Sequence, residues 1–517
     1  MAALKNDPDL IIRPADKNLG MVILTRAAYS AACNELLSNT DNYKLDTLDI
    51  SDRLHRTQQT TASCIAKLLA GIVDRKVKIP KNLCKQTDHY DNFKLYLQTT
   101  MHSAKIPQFT GLIKLHKMPS LHAKPVLRPI ALAHTAANAH LSKVIAALIH
   151  PVMVQAYPWI IQDSLQVIRD LDTRMFSPDT IFVTGDIVGM YTNLSIANLI
   201  HRTVKFCKDT ELMHPTVSAP IVSAIFKDSM VQFEGKVYLQ SHGIPMGNPL
   251  SPDCANLYCA ACEVTPRGRT DLTQPSYMGR LIDDYILIFE NSTRENVDNF
   301  LHLIDESLGH DLTVEWNVNM ESVDFLDLRL SKGPAMLQGL NGTLSLNVHQ
   351  KTLNNYMYLP VGSGHHHNVH RAWIRAELIR YVTHSSLCSD YMNIVHTFTS
   401  RLAARGINTD FIKSVVNSVS YSDRQRYLYP QRSSSTQPLA LIIPYDASTA
   451  SLPVSAILRN EIESLVRTNR SFTDLFYTRD GKLRYLTAWK KGRNLGSLLC
   501  KEQDGSQRQP PNGGAVG

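Results

Sequence analysis

Two adjacent carboxylates interrupt an otherwise apolar stretch, Leu281-Ile282-Asp283-Asp284-Tyr285-Ile286-Leu287-Ile288-Phe289. The pattern predicts a strand, a tight turn carrying two anions, and a returning strand. Such a turn can hold divalent metal ions for phosphoryl transfer. A chain of 517 residues would contain roughly one Asp-Asp pair by chance. The assignment therefore depends on a third carboxylate and a nucleotide pocket elsewhere in the chain.

Asp186 supplies the third carboxylate. It ends the apolar run Ile181-Phe182-Val183-Thr184-Gly185, as a core strand would, about a hundred residues before the pair. Two-metal phosphoryl transfer needs acids from separate strands converging on ions about 3.5–4 Å apart. A turn starting at Asp186 would bring the Tyr191 ring beside the same ions, under an incoming sugar. Between the acidic elements lies Gln240-Ser241-His242-Gly243-Ile244-Pro245-Met246-Gly247-Asn248-Pro249-Leu250-Ser251-Pro252. Its glycines and prolines predict a rigid loop opening a helix, with Gly243 and Gly247 letting a base or ribose approach the backbone. Upstream, Lys114-Leu115-His116-Lys117 and Lys124 to Arg128 set cations around a turn, as a triphosphate requires.

The remaining patterns describe a mixed α+β chain. Residues 8–30 read as a hairpin, 27–75 and 134–173 as helices, and 195–226 as helical. Val231 to Leu239 reads as a hairpin around Glu234-Gly235, and Glu295 to Leu308 as a helix capped by Ser292 or Thr293. Val323 to Leu330 alternates with period two over most of its length and reads as one strand. Residues 366–420 are helical and moderately basic, 432–437 form a linker, 438–500 form a small α/β unit, and 502–517 are a disordered tail.

An apolar fraction of 44% with 19% charged residues reads as globular. The net charge of +8 permits a nucleic-acid partner without demanding one. Nine scattered cysteines suggest a reducing compartment, and Cys254, Cys259 and Cys262 read as buried structural thiols rather than a zinc site. The N-terminus lacks the apolar core of a signal peptide, and the apolar run 144–161 is broken by His150, Pro151 and Pro158. The expectation is an intracellular protein without a membrane span.

In their joint order, the basic segment, Asp186, the Gly243/Gly247 loop and Asp283-Asp284 resemble the successive motifs of reverse transcriptases. Asp16-Lys17, Lys114 to Lys117, Gln240 to Pro252, Arg280 to Asp284, Phe325-Leu326-Asp327 and Tyr485 to Leu499 resemble the Penelope-like retroelement branch, over roughly residues 8–500. The chain departs from that branch at Leu281, where Tyr is usual, at Asn18, where Gly is common, and at His242, which replaces a small or amide side chain. Too few residues follow position 500 for the GIY-YIG endonuclease that many members append, so an endonuclease-lacking or truncated form is expected.

The resemblance implies a right-hand polymerase: an N-terminal extension over 1–100, fingers and an antiparallel-sheet palm over 101–330, a helical thumb over 331–431 and a C-terminal unit over 438–500. It implies an intracellular, nuclear RNA-directed DNA polymerase acting on an RNA template, a DNA primer and dNTPs, with two Mg²⁺ ions or Mn²⁺ in their place. Asp186, Asp283 and Asp284 would be the catalytic, metal-binding acids, with Asp284 the least essential because neighbouring strand residues point apart. Lys114, Lys117 and Arg128 would face the triphosphate, Tyr191 would exclude a ribose 2′-hydroxyl, and His242 and Gly243 would contact the nucleotide. Phe325, Leu326 and Asp327 would form the primer grip. Arg371, Arg375 and Arg380 would meet duplex phosphates, and His365, His366, His367 and His370 would be surface or nucleic-acid-facing residues. Two alternatives are a degenerate copy that binds nucleic acid without polymerising, and an RNA-directed RNA polymerase.

Overall fold

A computed structural model describes residues 7–79, 90–120, 123–351, 354–363, 365–430, 439–445, 454–468 and 485–491. The linker 432–437, the tail 502–517 and residues 492–499 lie outside them. The fold is α+β. At its centre is a four-stranded antiparallel sheet in the order β10 (Tyr277–Leu281), β11 (Asp284–Phe289), β7 (Ile181–Ile187), β12 (Val314–Asn319).

Strand alternation gives this sheet two different faces. Ile181, Val183, Ile187, Tyr285, Leu287 and Phe289 project into the larger core, among helices α4 (Ala139–Ala156), α6 (Ile196–Asp209), α7 (Pro215–Lys227), α8 (Ser251–Gly268) and α9 (Arg294–Leu308). Phe182, Ile286 and Ile288 project the other way, into a second core shared with Val323, Phe325, Leu328 and Leu330. Asp186 and Asp284 belong to this second face by register, at the end of the strands beyond its apolar part. Gly185 is needed on the opposite face, because a Cβ there would stand 2.6 Å from the Trp316 ring.

Two expectations need correction. α4 continues through Pro151 instead of breaking at His150 and Pro151. Its buried residues Leu141, Ile145, Leu148, Ile149 and Met153 lie in the larger core, and His150 Nδ1 lies 2.8 Å from the Asp253 carboxylate. Among the described residues this helix alone has the length and apolar composition to cross a membrane. Val323 to Leu330 is a hairpin rather than one strand: β13 (Ser322–Phe325) turns through Leu326-Asp327 into β14 (Leu328–Lys332). Leu326 takes a φ of +56°. The buried positions run 323, 325 and then 328, 330, and that one-residue slip in phase marks the turn. β14 pairs onward with β15 (Gly342–Val348).

The described residues of the first hundred share their cores with later segments. The hairpin of β1 (Leu10–Pro14) and β2 (Met21–Thr25) joins the hairpin of β4 (Phe109–Ile113) and β5 (Leu127–Ala131) through a bridge between Ala15 and Ile113. Ile11, Tyr29 and Cys33 share a third core with Phe109, Ile113, Leu127 and Phe233. β3 (Tyr43–Leu45) pairs with β9 (Lys236–Gln240). Helices α10 (His367–His384), α11 (Cys388–Ala404) and α12 (Thr409–Val416) form a fourth core. An Arg424–Asp172 ion pair of 2.6 Å ties this helical unit to the centre. β16 (Leu439–Tyr445) and β17 (Tyr485–Lys491) pair in parallel, with the helix Val454–Thr468 between them in sequence. Cys254, Cys259 and Cys262 are buried and free.

Candidate active site

Asp186 in β7 stands in register with Asp284 of β11 on one side and Glu315 of β12 on the other. Directly opposed residues of an antiparallel pair share a face, so the three carboxyl groups form one row. Asp283 lies in the two-residue turn above them, not in a strand. The rule that neighbouring strand residues point apart therefore gives no reason to rank Asp284 below Asp283. Ile282, first in that turn, has a φ of +57°, uncommon for a β-branched residue. Two contacts hold it: Ile187 N–H donates to the Asp283 carbonyl at 3.0 Å, and Arg280 Nη1 donates to the Ile282 carbonyl at 2.8 Å.

Burial, and then mutual repulsion, raises the acids' affinity for protons. Burial, then the charges of Asp283 and Glu315, raises the Asp186 pKa, while Lys117 and Lys17 oppose the shift. Asp284 is pushed up to about 6 by burial, then by Asp283 and Asp186, against Lys351 and Lys17. Carboxylates that disfavour each other's ionisation are a natural seat for cations. Their hard oxygen donors suit Mg²⁺ or Mn²⁺. Among the described residues no three His, Cys, Asp or Glu side chains stand close enough to enclose an ion unaided.

The expected cations gather on the β4–β5 hairpin. Lys114 follows β4, Lys117 ends the short turn after it, and Arg128 lies in β5, in register with Leu112. Burial, then Arg128 and Lys117, lowers the Lys114 pKa. Arg128 donates through Nη2 to Asp16 at 3.1 Å, while its Nε is buried without a partner. His116 Nδ1 is likewise buried and unpaired. Glu315, Lys351 and the position of Lys17 escape sequence reasoning. Their only signal is the strand pairing or the docking of the first hairpin, both set at long range.

The Gly243 loop plays a different part from the one expected. A Cβ on Gly243, whose φ is +69°, would lie 2.6 Å from the Tyr191 carbonyl oxygen and 2.7 Å from that of Thr192. A Cβ on Gly247, at φ +118°, would lie 2.2 Å from the Ala131 carbonyl oxygen. The space freed by both glycines is filled by the chain's own backbone, not held open for a base or ribose. Ile244 N–H donates to the Tyr191 carbonyl at 2.7 Å, and Ala131 N–H to the Met246 carbonyl at 2.9 Å. The loop thus fastens the turn carrying Tyr191 to the strand carrying Arg128. Tyr191 is partly buried, and its hydroxyl is pushed up to about 12 by burial, then by Asp283 and Asp253. The His242 side chain is partly exposed beside this junction, and its carbonyl accepts from Gln240 Nε2 at 3.2 Å.

The Phe325–Asp327 turn is not an open surface. Phe325 is 2% exposed in the second core, so its side chain cannot meet a primer. Burial alone would raise the Asp327 pKa, but His384, Ser164 and Arg380 hold it well below the usual carboxylate range. Arg380 Nη1 reaches Asp327 at 2.9 Å and its Nη2 reaches Glu377 at 2.6 Å, so Arg380 is engaged within the protein rather than free for phosphates. Arg371 donates to Ser414 Oγ at 3.1 Å, whereas Arg375 is exposed. His366 is a buried helix cap that accepts from Asn368 N–H, and His365 and His370 both approach Ser363 Oγ.

No family model matches the chain, and neither does any curated protein. Among solved structures it is similar to telomerase from Candida albicans in complex with a TWJ fragment of telomeric RNA, at 11% identity and a TM-score of 0.47, over 81% of this chain and 65% of that one. It is similar to apo telomerase from Candida tropicalis at 9% identity and a TM-score of 0.41, over 81% and 65%. For the BmCPV RNA-dependent RNA polymerase at its elongation state the values are 10% and 0.35, over 69% and 30%. The chain therefore spans 65% of the length of these telomerases and 30% of that of the viral polymerase. Likenesses this distant carry no argument about activity.

Proposed function

We propose that this chain is a nucleic-acid polymerase, specifically an RNA-directed DNA polymerase of the Penelope-like retroelement type. The observation that carries the reading is the register of Asp186 against Asp284, with Asp283 in the turn above and Lys114, Lys117 and Arg128 gathered on the β4–β5 hairpin. In this reading β7, β10, β11 and β12 belong to the palm, the β4–β5 hairpin to the fingers and α10 to α12 to the thumb, with an RNA template and a DNA primer between them.

Asp186, Asp283 and Asp284 would hold two divalent ions, which when bound activate a hydroxyl and offset charge on the leaving oxygen. The chain's own groups do the positioning. Lys114, Lys117 and Arg128 hold the triphosphate of a dNTP and stabilise charge that shifts onto pyrophosphate. Tyr191, fixed by Gly243 and Ile244, occupies the place of a ribose 2′-hydroxyl. The primer 3′-hydroxyl gives up its proton to water, its oxygen bonds to the α-phosphorus, the α–β bridging P–O bond breaks, and pyrophosphate leaves. The test is extension of oligo(dT) on poly(rA) with dTTP and Mg²⁺. Template-dependent extension is expected, and Asp186→Asn or Asp283→Asn should reduce it on the order of 10²–10³-fold or more. Binding of RNA–DNA without extension would overturn the reading in favour of a non-polymerising copy. Preference for rNTPs would overturn it in favour of an RNA polymerase.

A further inference from the structure

The N-terminal hairpin brings a cation to the site that motif reading assigns no role. Lys17 sits in the turn between β1 and β2 with a φ of +57°. A lysine is rarely held in this left-handed region, and such a conformation persists when its surroundings over-determine it. Here they do. The Lys17 N–H donates to Asp16 Oδ1 at 3.0 Å, and the other Asp16 oxygen accepts from Arg128 at 3.1 Å. Ala15 N–H donates to the Gly20 carbonyl at 2.8 Å, and Ala15 itself bridges to Ile113, the residue before Lys114. Asp16 is buried, whereas the Lys17 side chain is exposed. Among the described residues no carboxylate stands within ion-pair distance of its ammonium. The Lys17 charge is felt at Lys114 and His116, whose affinity for protons burial lowers first and neighbouring cations lower further. It therefore stands beside Arg128 and Lys114 of the cationic hairpin, where a triphosphate would lie. Beside it, Arg128 Nε and His116 Nδ1 are buried polar atoms still without partners.

Resting on the polymerase reading, we propose that Lys17 is a triphosphate-binding residue, carried into the site by the N-terminal hairpin and positioned by the Asp16–Arg128 ion pair. The role is electrostatic and directed at the phosphates, so it should appear in nucleotide affinity rather than in primer–template affinity.

Lys17→Asn tests this without disturbing the turn, because Asn tolerates a positive φ. Loss of one charge-assisted contact should raise the KM for dTTP about ten- to a hundredfold. The KM for primer–template and the melting temperature should stay unchanged, and Lys17→Arg should recover most of the affinity. Inorganic tripolyphosphate should inhibit the wild type competitively with dTTP and inhibit Lys17→Asn at least tenfold more weakly. Asp16→Asn should shift the KM for dTTP in the same direction and add little when combined with Lys17→Asn. An active wild type whose KM for dTTP and tripolyphosphate inhibition are unmoved by Lys17→Asn would overturn the inference while leaving the polymerase reading intact. A wild type that extends no primer would overturn that reading instead.

Discussion

Arg280 is the side chain whose removal should be felt most. It is fully buried, with Nε 2.5 Å from Glu263 Oε1 and Nη2 3.3 Å from Oε2. It also donates to the Asn256 side chain at 2.8 Å, the Asn256 carbonyl at 3.0 Å and the Ile282 carbonyl at 2.8 Å. Glu263 is completed by Trp159 Nε1 at 2.5 Å and the Tyr285 hydroxyl at 2.6 Å. Arg280→Met would leave Glu263 as a buried carboxylate without its counter-charge, a loss of about 3–5 kcal/mol. Glu263→Gln should also destabilise, because it strands the guanidinium. The double variant removes both charges and keeps an acceptor for Trp159 or Tyr285, so its loss should fall at least about 2 kcal/mol short of the sum. Urea unfolding followed by tryptophan fluorescence reads this, since Trp159 touches the network directly. Arg280→Met should also slow primer extension at least tenfold under conditions where it stays folded, because the Ile282 carbonyl loses its donor beneath Asp283. A single-variant loss below about 1 kcal/mol, or strict additivity in the double, would refute the reasoning.

Further outcomes follow from the same geometry. Gly243→Ala and Gly247→Ala should each destabilise by more than about 1 kcal/mol, because each adds a Cβ at positive φ against a backbone carbonyl. Thermal melting checks both, and extension by Gly243→Ala should fall further than melting alone explains, since it displaces Tyr191. Tyr191→Ala should raise rNTP incorporation relative to dNTP by about 10–200-fold in competition assays; an unchanged ratio would remove Tyr191 from the sugar pocket. Asp327 stays ionised in the fold below about pH 4, where an unfolded aspartate takes up a proton. Unfolding then binds a proton, so the stability it contributes above that pH is lost as pH falls further. Asp327→Asn should flatten the acid limb of a melting-temperature profile, and an unchanged limb would show that the His384–Arg380 joint is not its source.

Much of the chain was legible because local patterns were unambiguous. The runs at 181–186 and 285–289 are strands for their apolar content, and Glu234-Gly235 and Ile282-Asp283 are turns between such runs. The turn at Leu326 is hidden in the sequence because a two-residue turn interrupts alternation by only one step. Pro151 does not end its helix because packing on the larger core outweighs a lost helical hydrogen bond. The motif pattern points Phe325 and Arg380 toward nucleic acid, yet the fold uses one in its core and the other as an ion-pair anchor.

The sequence by itself determined the identity and order of the chemical groups: Asp186, then the Gly243 loop, then Asp283-Asp284, with lysines upstream. Local periodicity and turn chemistry suffice for that, because they act over a few residues. Only the tertiary structure decided which groups meet. Glu315 reaches Asp186 through strand register, Lys17 reaches the cations of the β4–β5 hairpin because its own hairpin docks on β4, and Gly243 serves a backbone some fifty residues away. Register, docking and close backbone packing are through-space outcomes of burying three cores together, and no local pattern encodes them.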